Sequence, residues 1–289
     1  MSNKDIADLV LLAALWGASF LFMRVAVPEF GPVLLITIRL LISGLFLLPI
    51  IVWKKNQRQL IEQIKPLSIV GLFNAALPFT LIAYSTLYVT AGFASVLNSA
   101  TPIFASIIAF IWLKQSLTNL AMLGLSLGVL GVIILVGDKL SLDQLDSTLA
   151  IVAGIIGTIC YGVAANYSKI KLKQVDPIVI TVGSQLTGAI LLLPFTFFYL
   201  PKELPSISSW LNLLVLAIAC TAFAQIIYFR LLERVGATNA TSVTFLIPIF
   251  GLFWGYLFLS ETFSVRTFIA TAIILFGTAL TVGIIKRKG

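Results

Sequence analysis

The chain has 289 residues, of which 60% are hydrophobic, and its mean hydropathy is +1.09. Soluble domains are about 45–50% apolar, so this composition excludes an ordinary water-soluble globule. Charged residues make up only 10% of the chain and gather in short clusters between long apolar stretches. The net charge of +8 does not indicate a nucleic-acid partner, because the basic residues lie at the ends of those stretches, where orientation in a bilayer explains them.

Ten apolar segments meet the length that a membrane-spanning helix needs, about 20 residues for about 30 Å of hydrocarbon. The breaks between them are short and contain turn-forming residues, such as Pro28 and Gly31. The sequence therefore predicts an all-α membrane protein with ten transmembrane helices, surrounded by the lipid bilayer. In chain order the predicted spans cover residues 6–27, 31–53, 66–88, 91–112, 118–137, 148–170, 177–200, 209–232, 237–259 and 265–285.

The basic residues predict how the ten spans are oriented. With both termini in the cytoplasm, 14 Lys and Arg residues fall on the cytoplasmic side, and only Lys139, Lys202 and Arg266 fall on the opposite side. Loops that stay in the cytoplasm retain Lys and Arg, so this arrangement is preferred. The remaining basic residues, Arg24 and Arg39, lie inside apolar segments. Arg24 is close enough to a boundary to extend its charge to the membrane surface.

An internal repeat relates the two halves of the chain. The segment WG at 16–17 recurs as YG at 161–162 after a shift of 145 residues. The segment PIF at 102–104 recurs at 248–250 after a shift of 146. Because repeats fix the architecture of a fold, these matches predict a duplicated bundle.

The repeats defined by these matches are two five-helix domains, 1–140 and 145–289. Because five is an odd number, equivalent helices run in opposite directions through the bilayer. Inverted repeats recur in secondary transporters, where the two halves enclose a site that opens to either side in turn. The pattern favours solute transport; the alternative is that duplication only provides a stable bundle.

Pro102 and Pro248 lie near the middle of the fourth and ninth predicted spans. Each removes the helical hydrogen bond to the carbonyl four residues back, which belongs to Asn98 or Thr244. Unpaired backbone at membrane depth is tolerated where it faces protein or a watery cavity, and matched helix breaks indicate a transporter's binding site. The two prolines therefore predict a cargo cavity, with a packed helix kink as the alternative.

Polar and aromatic side chains at similar depth are candidates for cargo binding. Hydrogen-bonding groups between apolar walls suit a small amphipathic ligand. Ser, Thr, Asn and Gln also join transmembrane helices, so about half of the candidates are expected to touch cargo. The tryptophan can instead anchor at the membrane interface. The candidates are Trp16, Ser19, Asn74, Tyr84, Asn98, Thr101, Tyr161, Asn166, Gln185, Gln225, Tyr228 and Thr244.

Arg39 is a functional candidate because it is charged and lies inside the second span. It can bind a carboxylate on the cargo, extend to the membrane surface, or bond to carbonyl groups of neighbouring helices; the last, structural role is favoured. None of the 11 acidic residues lies at mid-depth, and the chain has no histidine. Proton-coupled carriers usually keep such a group in the membrane, so facilitated transport or exchange is expected.

Catalysis and cofactor binding are not expected. Cys160 and Cys220 lack CxxC spacing, and there is no histidine to complete a metal site. HExxH and P-loop motifs are also missing. A channel is a further alternative, although no charged ring or filter loop is indicated. Gly124, Gly128 and Gly131 predict close helix contact within the bundle or in a dimer, so the chain is expected to be a monomer or a homodimer.

Both halves resemble the EamA branch of the drug/metabolite transporter superfamily. The resemblance covers nearly the whole chain. It implies ten spans, cytoplasmic termini, a bacterial inner-membrane location and a central cavity that moves small metabolites. Gln115 departs from the family pattern, which usually has Glu there, whereas the second half keeps Glu261. The similar segments are WGASF at 16–20, RLL at 39–41, and the two proline segments that end in KQSLT at 114–118 and SETFS at 260–264.

The expected cargo is an amino acid or a related neutral or zwitterionic metabolite, moved out of the cell. Hydrophobic drugs or quaternary amines are the second expectation, since aromatic faces can hold cations without a buried anion. In either case the expected partners are the small-molecule substrate and the bilayer.

Overall fold

A computed structural model describes residues 1–137 and 145–284, with the backbone alone at 237 and 238. Lys139, Lys286, Arg287 and Lys288, which entered the orientation prediction, lie outside the described residues. Those residues form helices and turns and contain no β-strand. The helices are α1 Asn3–Phe30, α2 Pro32–Trp53, α3 Gln57–Glu62, α4 Ile64–Gly71, α5 Leu77–Tyr88, α6 Ala91–Asn98, α7 Thr101–Leu113, α8 Asn119–Val136, α9 Leu145–Lys171, α10 Pro177–Thr196, α11 Ile207–Ala217, α12 Ala224–Thr241, α13 Val243–Leu259 and α14 Val265–Thr281.

Ten spans account for this order of helices. In the described part of the chain, 9 helical segments are long and apolar enough to cross a membrane, and α14 is a shorter apolar helix. Spans 1, 2, 5, 6, 7 and 10 are the single helices α1, α2, α8, α9, α10 and α14. Span 3 joins α4 to α5, span 4 joins α6 to α7, span 8 joins α11 to α12, and span 9 consists of α13 and the end of α12. The predicted ten-span, all-α membrane fold is confirmed.

The repeat extends to details of the backbone. Spans 3 and 8 each contain a π-helical segment, π-turn 1 at Leu72–Ala76 and π-turn 2 at Ile218–Phe223. A shift of 146 residues carries the start of one onto the start of the other. The same shift carries Lys114 onto Ser260, and both residues end their helices in the left-handed conformation, with φ of 50° and 52°. Matched distortions of this kind indicate two copies of one five-helix unit.

The two halves interleave through close helix crossings. In span 1, a Cβ added at Gly17 would lie 3.0 Å from the backbone nitrogen of Gly251 in span 9. In span 6, a Cβ at Gly162 would lie 2.9 Å from the backbone nitrogen of Ala105 in span 4. Shifts of 145 and 146 residues exchange these two pairs. The first span of each half therefore crosses the fourth span of the other half at the same point.

Spans 5 and 10 pack against each other through glycine. A Cβ at Gly124 would lie 2.6 Å from the carbonyl oxygen of Gly277, and one at Gly131 would lie 2.7 Å from Ile274. Gly128 faces Ile103 of span 4. The glycines of span 5 therefore make the contact within the bundle, and this face is occupied by the chain's own helices.

Candidate functional site

Arg39 is buried in span 2, with 4% of its surface exposed. Its Nε donates a hydrogen bond to Thr221 Oγ1 at 2.9 Å, and its Nη1 donates weakly to Met23 Sδ at 3.5 Å. The guanidinium carbon stands 4.0 Å from the centre of the Phe79 ring. Arg39 thus connects spans 1, 2, 3 and 8, and no carboxylate of the described residues forms an ion pair with it.

The partners of Arg39 differ from the carbonyl groups that the structural interpretation expected. They are a hydroxyl, a thioether and an aromatic ring. A guanidinium has five N–H donors, and these contacts use only two. Contact with a ring face stabilises a cation by about 0.5–2 kcal/mol, far less than the cost of burying an unpaired charge. The site therefore has positive charge available for an anion.

Thr221 lies in π-turn 2, and its position explains how span 8 reaches Arg39. Its Oγ1 donates to the carbonyl oxygen of Leu216, five residues earlier, at 2.7 Å. The same oxygen accepts the hydrogen bond from Arg39. Isolated π-helical turns occur frequently at functional sites. Sequence reasoning missed Thr221, because the stretch ACTAF at 219–223 contains no proline or other signal of a distorted helix.

Two aromatic pairs include predicted cargo residues, and one of the pairs contains the ring that contacts the Arg39 guanidinium. The Phe79 and Tyr161 rings are 6.0 Å apart in an edge arrangement. The Trp16 and Tyr228 rings are 5.5 Å apart. The structure thus brings together two predicted residues, Trp16 and Tyr228, and joins a third, Tyr161, to the ring beneath the guanidinium. We name as the arginine cluster Met23, Arg39, Phe79, Tyr161 and Thr221.

Three predicted hydroxyl groups bond to the backbone carbonyl three residues earlier in their own spans. This use of Ser and Thr is common inside transmembrane helices, and it leaves each hydroxyl able only to accept a further hydrogen bond. The predicted role of these residues in cargo binding is therefore narrower than for a free hydroxyl. The bonds join Ser19 Oγ to Trp16 O at 2.6 Å, Thr101 Oγ1 to Asn98 O at 2.7 Å, and Thr244 Oγ1 to Thr241 O at 2.9 Å.

Three predicted amides keep an oxygen without a partner. Asn166 Nδ2 donates to the carbonyl oxygens of Ala105 at 2.8 Å and Gly162 at 2.9 Å, so it fastens span 6 to span 4. Its Oδ1, Asn98 Oδ1 and Gln185 Oε1 are buried with no hydrogen-bond partner among the described residues. A buried, unpaired polar atom costs about 1–3 kcal/mol. Each of these oxygens can accept a hydrogen bond that no described residue donates.

The remaining predicted residues lie in less enclosed positions. Asn74 is exposed in π-turn 1. Tyr84 is half-buried, and its ring lies 5.4 Å from that of Tyr88. Gln225 is half-buried near the start of α12. None of the three is joined to the arginine cluster by a contact that the structure shows within its described residues.

The helix breaks lie near the two prolines but not at equivalent positions. Span 4 is broken at residues 99–100, and Pro102 is the second residue of α7. Pro248 lies inside α13, six residues after the break at Ser242. Span 4 is thus broken just before its proline, whereas α13 continues through Pro248. The carbonyl of Asn98, expected to be free, accepts from Thr101.

Arg24 was predicted to extend its charge to the membrane surface, but the structure shows it bound to neighbouring groups of the protein. Its guanidinium donates to the carbonyl oxygens of Thr86 and Val89, the latter at 2.8 Å. Its Nε also lies 3.9 Å from Oε1 of Glu261, a carboxylate that is 8% exposed. Hydropathy placed Glu261 at or beyond the end of span 9, whereas the structure buries it.

Two recesses open on the surface, with volumes of about 600 and 310 Å³. Neither contains a predicted cargo residue or a member of the arginine cluster, and Met23, Arg39 and Thr221 of that cluster are buried. The first is lined by α1 alone and the second by charged residues of α1 and α12: Asn3, Ile6, Ala7, Val10, Leu11 and Ala14, then Lys4, Asp8, Arg230, Glu233 and Arg234.

The fold and site define a polytopic membrane protein of transporter type, built from two repeats. The model of the EamA-like transporter family matches residues 6–137 and 148–283. The chain therefore belongs to the EamA family of the drug/metabolite transporter superfamily, and it is a transporter.

Similar proteins occur in bacteria, archaea and plants. The chain is 25% identical to the uncharacterized transporter YoaV of Bacillus subtilis, over 99% of both proteins. It is 26% identical to an uncharacterized transporter of Archaeoglobus fulgidus, over 95% of this chain and 97% of the relative. It is 27% identical to the chloroplastic WAT1-related protein At3g02690 of Arabidopsis thaliana, over 90% of this chain and 65% of that protein. A crystal structure with 16% identity covers 99% of the chain with a TM-score of 0.67, which shows the same fold.

Proposed function

We propose that the chain is a secondary transporter that exports amino acids or related neutral or zwitterionic metabolites by alternating access. The observation that carries this proposal is the buried guanidinium of Arg39, which has no carboxylate partner among the described residues. A carboxylate on the cargo would supply the missing negative charge and use the free N–H donors, as arginine does in bidentate pairs. The cost of an unpaired buried charge then favours the loaded state.

The aromatic pairs supply the second half of the recognition. An ammonium group is attracted to the face of Tyr, Trp or Phe. Phe79 and Tyr161 adjoin the arginine, and Trp16 and Tyr228 form a second pair. A zwitterion has one group for the guanidinium and another for the rings. The oxygens of Asn98 and Gln185, which have no partner among the described residues, are further candidate acceptors for a donor on the cargo.

The equivalent crossings of spans 1 and 9 and of spans 6 and 4 support the proposal of alternating access. Each crossing joins the two repeats, 1–140 and 145–289, and each has a glycine at its closest point. Two similar, oppositely oriented halves can exchange conformations, so that a cavity between them opens first to one side and then to the other. In this account the arginine cluster is the cargo site in its closed form.

The orientation belongs to the proposal too. We place the chain in a bacterial inner membrane with both termini in the cytoplasm, because 14 basic residues then lie on the cytoplasmic side and 3 on the other. The end of the bundle that contains Gln115 would face the cytoplasm, and the end that contains Glu261 would face outward. Trp53, 83% exposed at the end of span 2, is then an anchor at the cytoplasmic interface.

Transport by exchange or facilitated movement is proposed in preference to proton coupling. The arginine cluster contains no carboxylate and the chain has no histidine, the groups that usually act as proton relays in carriers. Uphill uptake driven by an imposed pH gradient alone, without counter-substrate, would contradict this part of the proposal.

The aromatic pairs also favour a second candidate, an efflux carrier for quaternary amines or hydrophobic drugs. Such a cargo would use the ring faces and would gain nothing from Arg39. The first candidate therefore requires Arg39 for transport, and the second does not.

Counterflow into proteoliposomes separates them. Vesicles with purified protein are loaded with unlabelled amino acids and offered labelled amino acids, the corresponding decarboxylated amines, or a quaternary amine. We expect amino acids to exchange and both amines to be excluded, with exchange lost in Arg39→Met and kept in Arg58→Gln, an exposed arginine outside the spans. Movement of the amines without the amino acids would support the second candidate.

A further inference from the structure

Glu261 ties three spans together at one end of the bundle. Its Oε1 accepts a hydrogen bond from the backbone nitrogen of Ala91 at 2.7 Å, and its Oε2 accepts one from Gly92 at 3.0 Å. These are the first two residues of α6, so the carboxylate caps the start of span 4. Arg24 of span 1 lies 3.9 Å away and is itself fixed on the carbonyls that precede α6. A single side chain thus closes the junction between spans 1, 4 and 9.

The residues around this contact are tightly packed. A Cβ added at Gly92 would lie 2.6 Å from the Phe263 ring and 2.9 Å from Leu252. Ala91, Gly92 and Phe93 are all buried, although they lie next to the loop between spans 3 and 4. The carboxylate therefore binds the two N–H groups in an enclosed place, where charge-assisted hydrogen bonds are stronger than in water.

The repeat places Gln115 at the position equivalent to Glu261. The turn is the same in both halves: the backbone nitrogen of Gln115 donates to Ala109 at 3.4 Å, and that of Glu261 donates to Gly255 at 3.1 Å. Residues 237 and 238 are equivalent to Ala91 and Gly92, and Lys169 is equivalent to Arg24. The side chains of Gln115 and Lys169 are exposed, and the structure shows no hydrogen bond from either to a described residue.

The chemistry of the two side chains explains how the ends can differ. A carboxylate has two acceptor oxygens and can bind two adjacent backbone N–H groups at once. An amide has one acceptor oxygen, and its NH2 group would face the second N–H group, donor against donor. A negative charge is also favoured at the start of a helix, where a neutral amide gains much less. Glutamine can therefore make at most half of the contact that glutamate makes.

We infer that Glu261, Arg24 and the start of α6 form a latch that holds this end of the bundle closed, and that Gln115 leaves the opposite end with a weaker one. The inference rests on the proposed alternating access. Because the two ends open in turn, unequal latches set which conformation is populated in the absence of cargo. The chain rests closed at the Glu261 end, and cargo binding must shift that equilibrium.

Distances between spin labels test the latch without any transport assay. In a Cys160→Ala, Cys220→Ala background, one pair of labels replaces Tyr88 and Thr262 at the Glu261 end. A second pair replaces Ser116 and Asn239 at the Gln115 end. All four positions are exposed. Pulsed electron resonance on protein in lipid nanodiscs, without cargo, then gives the populations of the open and closed states at each end.

Glu261→Gln is expected to raise the open population of the 88–262 pair about 10-fold, the effect of losing one charge-assisted hydrogen bond. Gln115→Glu is expected to shorten the 116–239 distance, and it remains informative if the first variant does not fold. Glu29→Gln is the matched control, since Glu29 is also an outer carboxylate bound at a helix start, that of α11. It should leave both distances unchanged.

Unchanged distances in both Glu261→Gln and Gln115→Glu would overturn the latch, as would an equal shift in Glu29→Gln. The result is separable from the cargo proposal. Arg39→Met should abolish exchange and leave the distances of the empty protein as they are. If the distances stay unchanged in the Glu261 and Gln115 variants while Arg39→Met still abolishes exchange, only the latch is refuted.

Discussion

The two crossings in which the second span of one half packs on the third span of the other half differ in their chemistry. In one, Arg39 of α2 meets the Thr221 hydroxyl in π-turn 2. In the other, α10 meets span 3 beside π-turn 1, and a Cβ at Gly71 would lie 2.8 Å from the carbonyl oxygen of Ser184. The shift of 145 residues carries Arg39 onto Ser184. Duplication has kept the backbone geometry, while only one crossing has retained or acquired a charge.

This difference shows how a symmetric fold can contain an asymmetric site. The neutral crossing brings backbone against backbone and can serve packing alone. The charged crossing contains a cation that forms no ion pair with a carboxylate of the described residues, which packing alone does not explain. The two ends of the bundle also differ in charge, because one has Glu261 where the other has Gln115. In each case the two repeats share the same backbone arrangement, and a single side chain distinguishes the copies.

Arg39→Met should have the largest effect and should separate function from stability. We expect exchange of amino acids to fall at least about 30-fold, because removing one partner of a buried charge pair costs about 2–5 kcal/mol. The melting temperature of the empty protein should stay level or rise, since an apolar replacement of a buried charge is often stabilising. Counterflow and thermal unfolding measure the two effects. A large drop in melting temperature would show that the arginine serves the fold.

Gly71→Ala tests the neutral crossing. The added Cβ would meet Thr187 and the backbone of Ser184 and Gly188, and relief of such contacts costs about 1–3 kcal/mol. We expect a lower melting temperature in this variant. Gly157→Ala is the matched control, because its nearest atoms are 3.3 Å away, and its loss should be clearly smaller. Equal losses would mean that the second crossing is not the tight contact described.

Thr221→Val compares the hydroxyl groups of the two crossings. It removes the acceptor of the hydrogen bond from Arg39 Nε, so we expect about a 10-fold loss of exchange, in line with about 1–3 kcal/mol for an unsatisfied buried group. Thr187→Val removes bonds to the backbone carbonyl oxygens of Leu67 and Gly183 and should leave exchange unchanged. Counterflow rates of the two variants, measured side by side, decide whether the hydroxyl acts through the arginine.

Arg58→Gln should have the smallest effect and marks the contrast between a buried and an exposed arginine. Arg58 pairs with Glu62 at 2.6 Å on the surface of α3, and this carboxylate holds the pKa of Arg58 above its ordinary value. Exposed pairs contribute little to stability. We expect no measurable change in melting temperature or in exchange. A large loss of exchange would place a functional role in the loop between spans 2 and 3.

Much of the fold could be predicted from the sequence. Apolar runs of membrane length located the spans, and the recurrence of WG and PIF located the repeat. Those signals are strong because lipid imposes a nearly uniform length and composition on every span. The π-turns could not be predicted, because a change from four- to five-residue hydrogen bonding leaves hydropathy unchanged.

The site was predictable only in part. Arg39 was identified because a charge in an apolar run is conspicuous, and Tyr161 because it is polar at the right depth. Phe79, Met23 and Thr221 were missed, since an aromatic, a thioether and a hydroxyl are ordinary in such helices. Glu261 was assigned to a boundary because hydropathy ends there, and only the contact with α6 shows that the boundary is buried.

Recognition of an amino acid depends most directly on the match between Arg39 and a carboxylate of the cargo. Thermal unfolding of the purified protein with an amino acid, its methyl ester and its amide measures that match, because a ligand at 100 times its Kd stabilises the native state by about 2.7 kcal/mol. We predict that the free amino acid raises the melting temperature of the wild type but not of Arg39→Met, and that the ester and amide raise neither. Equal stabilisation by the amino acid and its ester, or by the amino acid in both proteins, would contradict the assignment.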